Sequence, residues 1–133
     1  MASICKEFTI GADAATAWDA LRDFGAVHER VAAGFVTNAV PDGSDRTVTF
    51  ANGAVARERL VAADDQRRRL VYSVVESSFA LTHHQATVEV FDADGGGGSR
   101  LVWITDVLPD EAAAPIAAMM AAGVTAIAAT LTG

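Results

Sequence analysis

The amino-acid sequence predicts an α+β fold: a seven-stranded antiparallel sheet curled around a long C-terminal helix, with two short helices between the first and second strands. Three observations point to it. From about residue 35 to residue 108 the apolar residues recur with a period of two, in six runs separated by short turns. One more alternating run opens the chain. Residues 112–131, AAAPIAAMMAAGVTAIAATL, form an uncharged stretch whose larger apolar residues fall at helical spacing.

Taken in order, Ile4, Lys6, Phe8 and Ile10 alternate with Cys5, Glu7 and Thr9, a strand over 3–10 that Gly11 ends. Asp13 is placed to cap a helix from 14 to about 24, whose apolar face is Ala17, Trp18, Leu21 and Phe24. Gly25 breaks it, and a shorter helix covers 26–32. Strands follow near 35–41, 46–51, 54–63, 69–77, 84–92 and 100–108. The joins are the turns PDGSD, ANG, ADDQR and DADGGGGS, among which Asn52-Gly53 is a strong hairpin signal. Six strands therefore run as a meander, with the first strand added from the N-terminus. Pro109-Asp110-Glu111 opens the last helix, with Asp110 as its expected cap. The glycines Gly95 to Gly98 precede a strand rather than a helix, so they read as a hairpin tip and not a phosphate loop. DADG is too short for a calcium loop.

The chain of 133 residues suits one domain over 1–133, and its 51 % hydrophobic content suffices for a core. Ten Lys and Arg against 17 Asp and Glu give a net charge of −7, which argues against binding nucleic acid or anionic lipid. The one cysteine, Cys5, rules out an internal disulfide framework. With no secretory pattern after Met1, a cytoplasmic location is expected. The uncharged stretch is long enough to span a bilayer. However, it is rich in Ala, is interrupted by Pro115 and Gly123, and has no basic flank, so a buried or interface helix is expected instead. Its uncharged outer side suggests self-association, most simply as a homodimer.

Neighbouring residues of a strand face opposite ways, so each run divides into an inner and an outer set. In 54–63, Arg57 and Arg59 must face water, which turns Glu58 inward with Ala54, Ala56, Leu60 and Ala62. In 69–77, Leu70, Tyr72 and Val74 share a face with Glu76 at its end. In 84–92, His84, Ala86, Val88 and Val90 point inward and His83 outward, so the adjacent histidines diverge and no metal site is expected. In 100–108 both sets are apolar, and Ile104 and Asp106 are assigned to the interior. The last helix offers Ile116, Met119, Met120 and Gly123. Small inward residues leave space, while Glu58, Tyr72 and His84 bring polar groups into it. An unpaired buried carboxylate is costly. Either a cavity holds water or a ligand there, or Glu58 closes a network with His84 or Tyr72.

The segments WDALRDFGAVHERV, RTVTFANGAVARERLVAADDQRRRLVYSV, HHQATVEV and LVWITDVLP, in this order, resemble the polyketide cyclase/dehydrase group. That group belongs to the START-like, or Bet v 1-like (SRPBCC), helix-grip superfamily. The resemblance covers about residues 3–125 and implies a sheet gripping the C-terminal helix, with a hydrophobic-ligand cavity between them. Plant abscisic-acid receptors are similar in the same stretches, which marks Glu58, Tyr72, Val74, Leu81, His84 and Ala86 as pocket residues. The chain departs from those receptors in two ways. Their gate loop is here the tight turn ANG, and their pocket Lys falls near Ala33 or Gly34, which predicts no cation for a carboxylate ligand.

Three functions follow. The first is binding of a small hydrophobic or aromatic ligand, with no cofactor. The second is a metal-free enzyme of the polyketide aromatase/cyclase type, a cyclase or dehydratase. Glu58 or Asp106 would act as its base, and Tyr72 and His84 as donors to an enolate. The third is an interaction module working through the last helix.

Overall fold

In a computed structural model that describes residues 2–95 and 97–133, the alternating runs become seven strands. These are β1 (Ala2–Ile10), β2 (Val36–Asp42), β3 (Asp45–Phe50), β4 (Val55–Asp64), β5 (Arg69–Ser77), β6 (His83–Asp92) and β7 (Ser99–Leu108). They form one antiparallel sheet in the order β1-β7-β6-β5-β4-β3-β2, a meander to which β1 adds beside β7. The Asn52-Gly53 turn fixes one hairpin. Phe50 N–H donates to the Ala54 carbonyl at 2.8 Å, and Gly53 takes φ 88°, a conformation that favours glycine. This sets Arg46 opposite Glu58 and Asp45 opposite Arg59. Of the expected hairpin tip at Gly95–Gly98, Gly96 lies outside the described residues.

Helix α1 (Ala14–Arg22) is capped by Asp13, whose carboxylate accepts from Thr16 N–H at 2.8 Å. It ends two residues earlier than the apolar spacing predicts. Phe24–Ala26 forms a 3-10 turn and α2 spans only Val27–Arg30. The long helix α3 runs Ala113–Thr130 after a 3-10 turn at Asp110–Ala112. Asp110 is not its cap. The N-cap positions fall on Pro109 and Ala112, and neither makes a side-chain capping bond.

Helix α3 turns Ile116, Met120, Gly123 and Ile127 toward the sheet. A Cβ on Gly123 would lie 3.0 and 3.1 Å from the Trp103 ring and 3.4 Å from Phe35, so glycine lets helix and sheet approach closely. The end of the chain is tied down as well. Ala12 N–H donates to the Leu131 carbonyl at 3.0 Å, and a Cβ on Gly11 would overlap the Thr132 carbonyl. The segment Asp110–Thr130 is long and apolar enough to cross a membrane, with a mean hydropathy of 1.8. In this fold it is the helix that the sheet grips.

Two irregularities between β4 and β5 alter the inward sets. The register shifts between Arg57 and Glu58, so Glu76 pairs with Arg57 on the outer face and is exposed, and Ser77 takes the inner place opposite Ala56. A second shift between Leu60 and Ala62 leaves Val61 and Ala62 both exposed.

Leu101 is fully buried in the main core cluster. Leu101→Ala should lower the unfolding free energy by about 2–5 kcal/mol, measured by urea denaturation. A loss below about 1 kcal/mol would place the core elsewhere.

Candidate ligand cavity

The sheet and α3 do not meet everywhere. Between them lies a cavity of about 120 Å³. Ala56, Glu58, Tyr72, Val74, Leu81 and His84 line it from the sheet side, and Ile116, Met119, Met120 and Gly123 from the helix. Three residues expected on its wall are not there. Ala86 has the expected face but packs solidly, wholly buried between Tyr72 and Thr105 on the neighbouring strands. Ile104 and Asp106 lie on the opposite face of β7. Register decides this. Trp103 pairs with Val88 and Thr105 with Ala86, both of which point inward, so the odd residues of β7 face the cavity. Periodicity alone did not separate two apolar faces.

The main residue that sequence reasoning missed is Arg46, a cation on the cavity wall that is engaged by the protein's own Glu58. Its side chain is 6 % exposed, and that of Glu58 9 %. Arg46 Nε and Nη2 both reach Glu58 Oε1 at 2.8 Å, and Nη1 donates to the Phe24 carbonyl at 2.8 Å. The guanidinium carbon lies 3.7 Å from the centre of the Phe24 ring and 5.2 Å from that of Tyr72, the geometry of a cation–π contact. Glu58 therefore pairs with Arg46, not with His84 or Tyr72. The signal was present in the sequence. A hairpin whose three-residue turn Ala51-Asn52-Gly53 is centred on Asn52 places residue 46 across from residue 58. The outer face repeats the pattern with opposite signs, since Arg57 and Arg59 both bond Asp45.

Both contacts from Arg46 fall on Oε1. Glu58 Oε2 has no hydrogen-bond partner among the described residues, yet it is not sealed in. His84 is similar. Its Nδ1 accepts from Val74 N–H at 3.0 Å, and its carbonyl accepts from the Ser73 hydroxyl. Backbone pairing of β5 with β6 ends at Tyr72–Ala86, and the imidazole satisfies the next strand donor in place of a carbonyl. Burial, with the neighbouring His83 adding to it, lowers the His84 pKa to about 4. The ring is thus neutral at pH 7, and an accepting Nδ1 puts its proton on Nε2. Nε2 likewise has no partner among the described residues and is not sealed in. The Tyr72 ring lies 6.1 Å from that of His84. Burial and then the Glu58 charge push its hydroxyl above the ordinary tyrosine range, so it stays protonated. His83 is exposed, and no group of three His, Cys, Asp or Glu among the described residues is arranged to hold a metal.

Removing Arg46 strands a buried carboxylate. Arg46→Met should cost about 3–5 kcal/mol, and Arg46→Met with Glu58→Met should recover most of it. Equal losses in the single and double variants would remove the pair from the account. His84 carries a pH prediction. The unfolded imidazole takes up a proton near pH 6.5, and the folded one only near 4. Stability should therefore fall as the pH drops between those values, by on the order of 3 kcal/mol at the lower end. His84→Asn, which keeps an acceptor for Val74 N–H, should flatten that dependence in urea titrations across the window. An unchanged slope would refute the assignment.

Residues 1–132 match the family model for polyketide cyclase/dehydrase and lipid transport. No curated protein matches the chain in sequence. Three solved structures show what it is similar to in fold. Protein XoxI from Bacillus cereus is 19 % identical with a TM-score of 0.87, over 98 % of this chain and 96 % of that one. A START superfamily protein from Mycobacterium smegmatis is 13 % identical with a TM-score of 0.70, covering 98 % and 99 %. Norcoclaurine synthase from Thalictrum flavum, a point mutant in complex with a transition-state analogue, is 17 % identical with a TM-score of 0.70, covering 98 % and 93 %.

Proposed function

Since the chain belongs to the polyketide cyclase/dehydrase and lipid transport family, we propose that it binds a small hydrophobic or aromatic ligand in the cavity between its sheet and α3. One observation carries this reading. A void of about 120 Å³ lies in the core beside the small side chain of Ala56, where a larger apolar side chain would have filled it. An interior that stays unfilled gives up packing energy. A concave, mostly apolar space with a few converging polar groups is the usual form of a small-molecule site.

A second reading, proton transfer in a cyclase or dehydratase, has a narrower support. Glu58 Oε2 is unbonded, and the neutral His84 and protonated Tyr72 are donors on the same wall. Glu58 would take a proton from a carbon flanked by carbonyls while Tyr72 and His84 stabilise the enolate oxygen. Asp106, on the outer face of β7, has no part in it. Homodimer formation through the Ala-rich outer side of α3 stays a separate proposal, checked by light scattering.

Ala56→Leu puts a larger side chain into the void. It should reduce binding of hydrophobic ligands by about ten-fold or more while leaving the fold intact, read by ligand titration alongside circular dichroism. Undiminished binding would place the ligand elsewhere. For the second reading, Glu58→Gln should abolish turnover of a poly-β-ketone mimic, and unchanged turnover would remove Glu58 as the base.

A further inference from the structure

The cavity's polar inventory narrows the ligand class. Arg46 and Glu58 already neutralise each other, and the guanidinium spends Nε, Nη2 and Nη1 on Glu58 and the Phe24 carbonyl. A carboxylate ligand would have to compete with Glu58 for that cation, inside a medium that penalises an extra charge. What the wall leaves over is one carboxylate acceptor, Glu58 Oε2, and neutral donors: His84 Nε2–H on the strand across Val74, the Tyr72 hydroxyl, and Trp103 Nε1–H, which has no partner among the described residues.

Placement relates Glu58 to His84. Val74 of β5 stands opposite Glu58 of β4, and its N–H is bonded to His84 of β6. Glu58 and His84 therefore flank Val74 on one concave face, two strand spacings or about 10 Å apart at their Cα atoms. All three line the same void. That void is small. At about 120 Å³ it is comparable to an engineered apolar cavity of roughly 150 Å³ that holds a benzene molecule. At rest it has room for about one ring.

Resting on the binding reading above, we infer that the ligand is an uncharged single-ring molecule. It carries a hydroxyl or N–H donor at one edge for Glu58 Oε2 and a carbonyl-type acceptor at the opposite edge for His84 Nε2–H. A hydroxyaryl ketone has this chemistry. The ring fills the apolar part of the void beside Val74, and its two edges meet Glu58 Oε2 and His84 Nε2–H. Loss of either bond leaves a buried polar group unpaired, so specificity comes from those edges and not from the ring.

The test is a titration of the full chain, followed by amide NMR shifts, with 4-hydroxyacetophenone, 4-methoxyacetophenone, 4-ethylphenol, ethylbenzene, 4-hydroxybenzoate and dodecanol. The hydroxy-ketone should bind tightest. The methoxy compound, which lacks the donor, 4-ethylphenol, which lacks the acceptor, ethylbenzene and the carboxylate should each bind about ten-fold or more weakly. His84→Phe should erase the preference for the ketone over 4-ethylphenol. If that variant does not fold, the ligand series on the unaltered chain still decides. Ethylbenzene or 4-hydroxybenzoate binding as tightly as the hydroxy-ketone would overturn the inference. Dodecanol binding with no single-ring compound doing so would overturn it and leave the binding reading standing. No binding by any of the six would overturn both.

Discussion

The buried ion pair between Arg46 and Glu58 organises the wall on which everything else is built. Two charges this far from water are unfavourable unless the geometry compensates. Here the compensation is specific. Arg46 has two contacts to one carboxylate oxygen, one to the Phe24 carbonyl, and the Phe24 ring against its flat face. The pair thus joins β3 and β4 to the turn that follows α1. It explains why Asp23-Phe24-Gly25 leaves the helix where it does. Phe24 must present both a carbonyl and a ring to the same cation, and Gly25 packs so closely on Pro41 of β2 that a Cβ would lie 3.2 Å from the proline ring.

Because that wall is held by directional bonds, the opposite wall can be loose without the fold collapsing onto it. Gly123 brings α3 against Trp103 and Phe35, while Met119 and Met120 line the space on the helix side. Methionine is an adaptable lining, so the cavity has flexible thioethers on one side and a fixed ion pair on the other. The same contrast fits a cavity that is small at rest and able to adjust around an occupant.

His84 links strand pairing to site chemistry. Where β5 and β6 part beyond Tyr72–Ala86, a strand donor would be left unpaired; the imidazole accepts it. That structural bond fixes the tautomer, and the tautomer fixes what the cavity side can offer, a donor and not an acceptor. One hydrogen bond thereby serves both the sheet and the site, and the depressed pKa follows from the same burial.

The sequence by itself determined the elements and their order, because a period of two along a strand and a charge-free helical stretch are local properties. It determined that Glu58 and His84 share the concave side, since they have outward neighbours such as Arg57, Arg59 and His83, and it set Tyr72 there by alternation with Leu70 and Val74. The turn Ala51-Asn52-Gly53, centred on Asn52, held the pairing of Arg46 with Glu58 as well, legible had the register been counted across its three residues. Only the tertiary structure decided the face of β7, where both sets are apolar and pairing with β6 and β1 settles the matter. It alone decided the β4–β5 register shifts that turn Glu76 out and Ser77 in. It alone decided that Ala86 is filled core while Ala56 borders a void. Alternation says which way a side chain points, but contact between strands and helix decides how much space lies in front of it.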